Sequence, residues 1–213
     1  GGSRAVYKNT SLDLRIYKRL QMFIHNEALI NEETDLHDRD VSMFIRIGSD
    51  VKNNYYEYEL PLEVTPHGRY NNNSTSEREI VWPKNNTLDF DLNILTNLKK
   101  SRNAANMSSE SGVSMTQRYS AYDPEKPNNK ITIIGNPSLG DVRVIVIGVR
   151  NNSNSNKNCI VWTNELRTTD FIEDGGWAAK GQLNLGISDI ATINVGGHKE
   201  TVGFGSVDQG LSE

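Results

Sequence analysis

Cysteine is almost absent from this chain, because Cys159 is the only one among 213 residues. A single thiol excludes an internal disulfide framework and a metal site built from several cysteines. A cysteine nucleophile would need a histidine partner, and none of the four histidines stands in a known catalytic motif. Since Cys159 precedes Ile160-Val161-Trp162, we predict a buried thiol on a β-strand.

The chain also has a small net charge and only short apolar runs. The 23 basic and 27 acidic residues leave a net charge of −4. The absence of a dense basic stripe argues against a nucleic-acid partner and against electrostatic attachment to anionic lipids. No apolar run approaches the length of about 18 residues that a membrane-spanning helix needs.

Alternating apolar residues predict β-strands through most of the chain. The predicted strands cover 19–27, 40–48, 55–64, 131–134, 141–150 and 159–167. Pro61 inside the third run predicts an edge strand or a bulge. Strands at this spacing, separated by turn residues and by polar loops such as 151–156, predict an antiparallel, jelly-roll-like β-sandwich.

A single helix is expected over residues 92–104. Leu92, Leu95 and Leu98 recur at helical spacing, and basic residues follow them, as suits the negative end of a helix dipole. The polar segment 105–129 is predicted to be a long loop.

The last part of the chain has the pattern of a membrane-barrel hairpin. From residue 177 to 187, apolar residues alternate with polar residues or glycine over eleven positions, close to the 9–11 or so of a tilted membrane strand. Ser188-Asp189 is a predicted tight turn, after which the alternation keeps its phase. The residues predicted to face lipid are Trp177, Ala179, Leu183, Leu185, Ile187, Ala191, Ile193 and Val195. The same alternation is also typical of a half-buried strand in a soluble sheet.

A calcium site is one interpretation of the acidic cluster at residues 35–40. Asp35, Asp38 and Asp40 are loop carboxylates of the kind that ligate Ca²⁺, but the spacing of an EF-hand is missing. The alternative is a charged turn that caps the next strand.

Glu57, Glu59 and Glu63 could be the paired carboxylates of a glycoside hydrolase. Residues two apart on one strand share a face, however, so a solvated acidic face is the simpler prediction. Tyr55 and Trp82 are candidates for stacking on sugar rings; the alternative is that both pack inside the sandwich.

Seven stretches, in order along nearly the whole chain, resemble the SprA/Sov family. They are 17–25 (YKRLQMFIH), 44–50 (FIRIGSD), 53–58 (NNYYEY), 136–140 (NPSLG), 162–167 (WTNELR), 175–179 (GGWAA) and 203–206 (GFGS). SprA-like proteins are very large outer-membrane barrels, so the resemblance implies that this chain is an internal segment of one.

The resemblance also implies a function in protein secretion. Proteins of this family form the outer-membrane translocon of the type IX secretion system, which serves gliding motility and exports folded cargo carrying C-terminal signal domains. The implied partners are that cargo and other translocon components, namely plug proteins and PorV-like barrel proteins. The family implies no catalytic residue and no cofactor, so we do not expect an enzyme.

The predicted organisation follows from these points. Residues 1–3 are a linker or cut end, residues 4–172 the jelly-roll-like sandwich, and residues 173–213 the barrel hairpin with a following loop. A short periplasmic turn at Ser188-Asp189 would put the sandwich on the extracellular side of the outer membrane. The alternative function is a carbohydrate-binding jelly-roll module of a cell-surface protein.

Overall fold

The computed structural model describes residues 2–29, 35–108, 112–171, 178–187 and 191–200. These residues are mainly β, with antiparallel sheets and two α-helices. The chain divides into two compact units, Gly1–Asp170 and Phe171–Glu213.

Eleven strands lie within the described residues. They are β1 (Ser3–Leu12), β2 (Tyr17–Ala28), β3 (Val41–Gly48), β4 (Tyr55–Pro61), β5 (Leu88–Asp91), β6 (Tyr119–Tyr122), β7 (Lys130–Ile134), β8 (Val142–Asn151), β9 (Cys159–Phe171), β10 (Ala178–Ile187) and β11 (Ala191–Glu200). The helices are α1 (Thr75–Val81) and α2 (Asn93–Asn106), and a short 3₁₀ turn covers Lys84–Asn86.

The first unit contains two sheets. One has six strands in the order β1-β8-β3-β4-β7-β6, and the other has three in the order β5-β2-β9. Every pair with a described register in the six-stranded sheet is antiparallel, as it is for β2 with β5. This confirms the antiparallel β architecture, while the jelly-roll topology stays a prediction.

One apolar cluster contains residues from both sheets of the first unit. The three-stranded sheet contributes Leu20, Met22, Ile24, Leu88 and Phe90, and the six-stranded sheet contributes Met43, Ile45, Ile47, Tyr56, Tyr58, Leu60, Ile131 and Ile133. The rings of Tyr58 and Phe90 stack with centroids 4.0 Å apart. The faces predicted from the alternation of β2, β3 and β4 are therefore the buried faces, where each aliphatic side chain contributes roughly 1.5–3 kcal/mol.

Helix α2 confirms the predicted helix and adds Leu92, Leu95 and Leu98 to this cluster. The prediction of a single helix was wrong, since α1 precedes it. Its start follows a capping-box pattern: Ser74 accepts a hydrogen bond from the amide of Glu77, three residues later. Helix α1 buries no residue, so no apolar periodicity indicated it.

Two further expectations were wrong. Strand β4 lies between β3 and β7, so Pro61 marks neither an edge strand nor a bulge. It is instead the last residue of β4. A proline at the end of a strand disturbs the inter-strand hydrogen bonds less than one in its interior, because its missing amide donor does not interrupt the ladder there. The segment predicted as one loop contains β6, a four-residue strand that pairs with β7 and is too short to show alternation.

Parts of the predicted organisation lie outside the described residues. Trp177, the Ser188-Asp189 turn and the closing segment 201–213 are among them, so the limits 4–172 and 173–213 stay predictions. Neither helix in the described part of the chain has the length and apolar character to cross a membrane.

Candidate functional site

The β10–β11 hairpin is the first candidate, and its register is continuous over ten residue pairs. Ala178 pairs with Glu200 at the open end and Ile187 with Ala191 at the turn end. Because directly opposed residues lie on one face of a sheet, the pairs Leu183–Val195 and Leu185–Ile193 share a face with Ile187–Ala191. The register thus groups on one face every predicted lipid-facing residue that the structure describes.

The opposite face of the hairpin holds polar residues and glycine, apart from Ala178, which pairs with Glu200 at the open end. Its register pairs are Lys180–His198, Gln182–Gly196, Asn184–Asn194 and Gly186–Thr192. On the apolar face, Lys199 is the charged exception, and it pairs with Ala179 near the open end. The hairpin therefore has one apolar and one polar face, and the charge on the apolar face is confined to its open end.

A cluster of ionised side chains is the second candidate, on the face of the six-stranded sheet away from the core. We call Arg46, Glu57, Glu59, Arg118 and Arg150 the charge cluster. The Glu57 carboxylate accepts from Arg46 Nε at 2.6 Å, Arg118 Nη2 at 3.0 Å and Arg150 Nη2 at 3.1 Å. Arg150 Nη1 also donates to Glu59.

Aromatic rings support the charge cluster from below. The guanidinium carbons of Arg46 and Arg150 lie 5.1 and 4.8 Å from the centroid of the Phe44 ring, and Arg46 also lies 4.4 Å from the centroid of Tyr55. All three distances suit cation–π contacts. Burial alone would lower the pKa of Arg150, but the charges of Glu57 and Glu59 and hydrogen bonds to both raise it.

The charge cluster corrects the prediction of a solvated acidic face. Glu57 is 2% exposed and Glu59 is largely buried. Sequence alternation placed both residues away from the core correctly, but it could not show that arginines from β3, β8 and the segment before β6 cover them. With its carboxylate held by three arginines, Glu57 is unsuited to act as the general acid of a glycosidase.

An aromatic cleft beside the three-stranded sheet is the third candidate. Its first lobe, of about 350 Å³, is lined by His25, Val81, Trp82, Trp162, Thr163 and Asn164. A second lobe of about 310 Å³ shares His25 and Val81 and adds Glu27, Pro66, His67, Gly68 and Tyr70. Strands β2 and β9 and the end of α1 position the side chains of the first lobe, and the segment between β4 and α1 supplies residues 66–68 and 70 of the second.

His25 lines both lobes of the cleft. Its Nδ1 lies 2.7 Å from the carbonyl oxygen of Val81; because a carbonyl can only accept, this nitrogen carries the proton. On the other side of the ring, Nε2 lies 3.5 Å from a carboxylate oxygen of Glu27. The imidazole is thereby held in a fixed orientation.

Trp82 and Trp162 form the aromatic walls of the first lobe. The Trp82 ring contacts His25 and Phe23 with centroids 5.8 and 6.4 Å apart, so its orientation is fixed. Trp162, on β9, is 61% exposed. The alternation of 159–167 predicted this strand but gave no indication that Trp162 would stand beside Trp82.

The structure does not bring Tyr55 to Trp82. Tyr55 is 4% exposed and lies beneath Arg46 on the six-stranded sheet, whereas Trp82 lines the aromatic cleft. Of the two candidates for sugar stacking, only Trp82 therefore borders an open cavity.

The three aspartates predicted as possible calcium ligands have partners within the protein. Asp38 accepts from the amide of Val64 at 2.7 Å. Asp40 and the largely exposed Asp35 both pair with Lys157, at 2.8 and 3.8 Å. Within the described residues, no group of three or more histidine, cysteine or acidic side chains is placed to hold a metal ion.

The chain matches a known protein family over its whole length. A family model described as a motility related/secretion protein matches residues 1–213. No curated protein matches the chain.

Proposed function

Since the chain belongs to the SprA N-terminal family of motility-related secretion proteins, we propose that it is a structural segment of an outer-membrane translocon. The translocon would be that of type IX secretion, which exports folded cargo with C-terminal signal domains and serves gliding motility. In this proposal the segment is not an enzyme and needs no cofactor.

The β10–β11 hairpin carries this proposal. Ten residues at about 3.3 Å each, tilted by about 45°, rise about 23 Å. An outer-membrane barrel has an apolar band about 25 Å tall, so the ten register pairs suit one crossing of it in each direction. An apolar face toward lipid and a glycine-rich polar face toward a wet lumen would give each face a compatible solvent.

Two strands alone cannot cross a bilayer, because their outer edges would leave backbone groups unpaired in lipid. The proposal therefore requires neighbouring barrel strands from the rest of a longer protein. Lys199 would then lie at an end of its strand, near the membrane surface, where a lysine costs little.

We place the first unit, with its jelly-roll-like sheets, on the extracellular side of the outer membrane. The basis is the short segment between β10 and β11, since bacterial barrels have short periplasmic turns and longer outer loops. Plug proteins, PorV-like barrel proteins and the exported cargo are the proposed partners.

Cysteine scanning of the hairpin in the full-length protein tests the membrane assignment. In a Cys159→Ser background, single cysteines at Leu185 and at its neighbour Asn184 would carry an environment-sensitive fluorophore in reconstituted bilayers. We expect a blue-shifted emission and quenching by lipid-attached nitroxide at position 185, and quenching by aqueous iodide at position 184. Equal aqueous quenching at both positions would overturn the barrel assignment.

The orientation is tested on intact cells. Asn154 is exposed in the loop between β8 and β9, and a cysteine there should react with a membrane-impermeant maleimide before the outer membrane is opened. Labelling only after permeabilisation would place the first unit in the periplasm and contradict the proposed orientation, without affecting the barrel assignment.

The carbohydrate-binding module predicted as an alternative relied on Tyr55 beside Trp82. Those residues lie apart, and no comparison favours such a module as the function of the chain. The secretion function is therefore the one we propose.

A further inference from the structure

The aromatic cleft has the composition of a ligand site rather than of a packing defect. Trp162 keeps 61% of its surface exposed, although an indole is among the most favourable side chains to bury. The first lobe, at about 350 Å³, falls within the range of small-molecule sites, which are typically apolar clefts with a few placed polar groups.

Polar groups border both aromatic walls of this lobe. Asn164 offers an amide donor and acceptor, and Thr163 a hydroxyl. The imidazole of His25 also lines the lobe, and its Nε2 is the ring nitrogen available to a ligand because Nδ1 donates to the Val81 carbonyl. Donors and acceptors beside flat apolar rings match a ligand that carries hydroxyl groups around an apolar ring face.

The composition argues against the other ligand classes. Among the residues that the structure describes, no lysine or arginine lines either lobe, and Glu27 lines the second, so the cleft repels an anion. A wholly apolar ligand would strip water from His25 and Asn164 without replacing their hydrogen bonds, which is costly. A neutral ligand with its own hydroxyl groups avoids both penalties.

We propose that the aromatic cleft binds a neutral pyranose glycan, with one sugar ring stacked on Trp162 against Trp82 and its hydroxyls bonded to Asn164 and His25. The second lobe shares His25 and Val81 with the first, so a following sugar unit can continue past Glu27 toward Tyr70. This inference concerns the first unit alone and is independent of the proposed translocon function.

Tryptophan fluorescence of the chain tests the proposal. Trp177→Phe leaves Trp82 and Trp162 as the only tryptophans. The probes are four soluble polysaccharides: a mannan, a β-glucan, a galactan and a deacylated O-polysaccharide. At least one should blue-shift the emission, protect it from acrylamide quenching, and retard the chain in an affinity gel.

Matched variants identify the cleft as the site of binding. Trp162→Ala should weaken binding by about tenfold or more, the scale of one lost aromatic contact, and Asn164→Ala should weaken it several-fold. Tyr122→Ala removes an aromatic ring of similar exposure, 64%, from strand β6 of the other sheet and should leave binding unchanged. Trp162 is exposed, so its variant should unfold at the parent urea midpoint.

Three results would overturn the proposal. The first is no response to any of the four polysaccharides. The second is retardation that Trp162→Ala leaves intact. The third is fluorescence protection by a proline decapeptide with none by polysaccharide, which would make the cleft a peptide site.

Discussion

The guanidinium of Arg150 on β8 reaches across β3 to the carboxylate of Glu57 on β4, with Nη2 3.1 Å from Oε1. The two strands are not neighbours, because β3 lies between them. On β3, Arg46 stands directly opposite Glu57 and donates to the same carboxylate. One buried glutamate thus links three successive strands by their side chains in addition to the backbone ladder.

Glu57→Gln should destabilise the first unit. The substitution keeps the shape of the side chain but removes the charge that compensates Arg46, Arg118 and Arg150. Breaking a buried pair typically costs 3–5 kcal/mol or so; since all three arginines are partly exposed, we expect about 2–3 kcal/mol. Urea denaturation followed by circular dichroism measures the loss.

Glu79→Gln is the control for that experiment. Glu79 lies on α1 with its side chain 56% exposed, 3.5 Å from Lys84. An exposed pair of this kind contributes under about 1 kcal/mol, so the urea midpoint should hardly move. Equal midpoints for both variants would mean that the charge cluster does not stabilise the sheet.

Tyr58→Phe should cost about 1–3 kcal/mol, because it leaves two buried polar groups without a partner. The Tyr58 hydroxyl donates to Asp123 at 2.6 Å and accepts from Asn129 at 2.9 Å. Burial and the hydrogen bond to Asp123 raise the pKa of Tyr58, so its phenol should stay protonated in an ultraviolet titration while exposed tyrosines ionise. Tyr122→Phe is the exposed control, and a similar stability loss there would contradict the prediction.

Gly135→Ala should be strongly destabilising. Gly135 has a φ of +70°, and a Cβ there would lie 1.9 Å from the carbonyl oxygen of Asn53. Both the left-handed conformation, at about 1–2 kcal/mol, and the clash act against alanine. Gly112→Ala separates the conformational cost from the cost of the clash, because Gly112 has a φ of +62° but open space around it. If thermal unfolding moved equally in both variants, the clash at Gly135 would be refuted.

Asp50 should give the first unit an acid-dependent stability. Amide hydrogen bonds, led by that of Asn53 and opposed by slight burial, lower the pKa of Asp50 from 3.8 to about 2. The unfolded chain therefore takes up the proton first, and the contribution present above pH 4 is lost as the pH falls toward 2. The stability difference between the parent chain and Asp50→Asn should narrow across that window in thermal unfolding. A constant difference would contradict the prediction.

The predicted strands show where sequence patterns suffice. Met43, Ile45 and Ile47 recur at every second position, and the structure buries them in the core. Successive side chains of a β-strand point to opposite faces because of local backbone geometry. The spacing therefore identifies which residues share the buried face without knowledge of the partner strand. Strand β1 escaped prediction because it is an edge strand that is almost wholly exposed, and exposure imposes no alternation.

The candidate sites depend on long-range contacts that sequence patterns do not predict. Trp162 reaches Trp82 and His25 only after β9 is placed beside β2. The residues of this cleft are spread over more than 130 positions of the chain, from His25 to Asn164. No local pattern encodes which distant side chains will share a cavity.

The sequence by itself determined the β character, the buried faces of β2, β3 and β4, helix α2 and the family of the chain. Only the tertiary structure decided what lies against the opposite faces: three arginines over Glu57, and an open cleft beside His25. The physical reason is that alternation reports how a strand divides its residues between two faces. Whether a polar face meets water, opposite charge or a ligand depends on long-range packing.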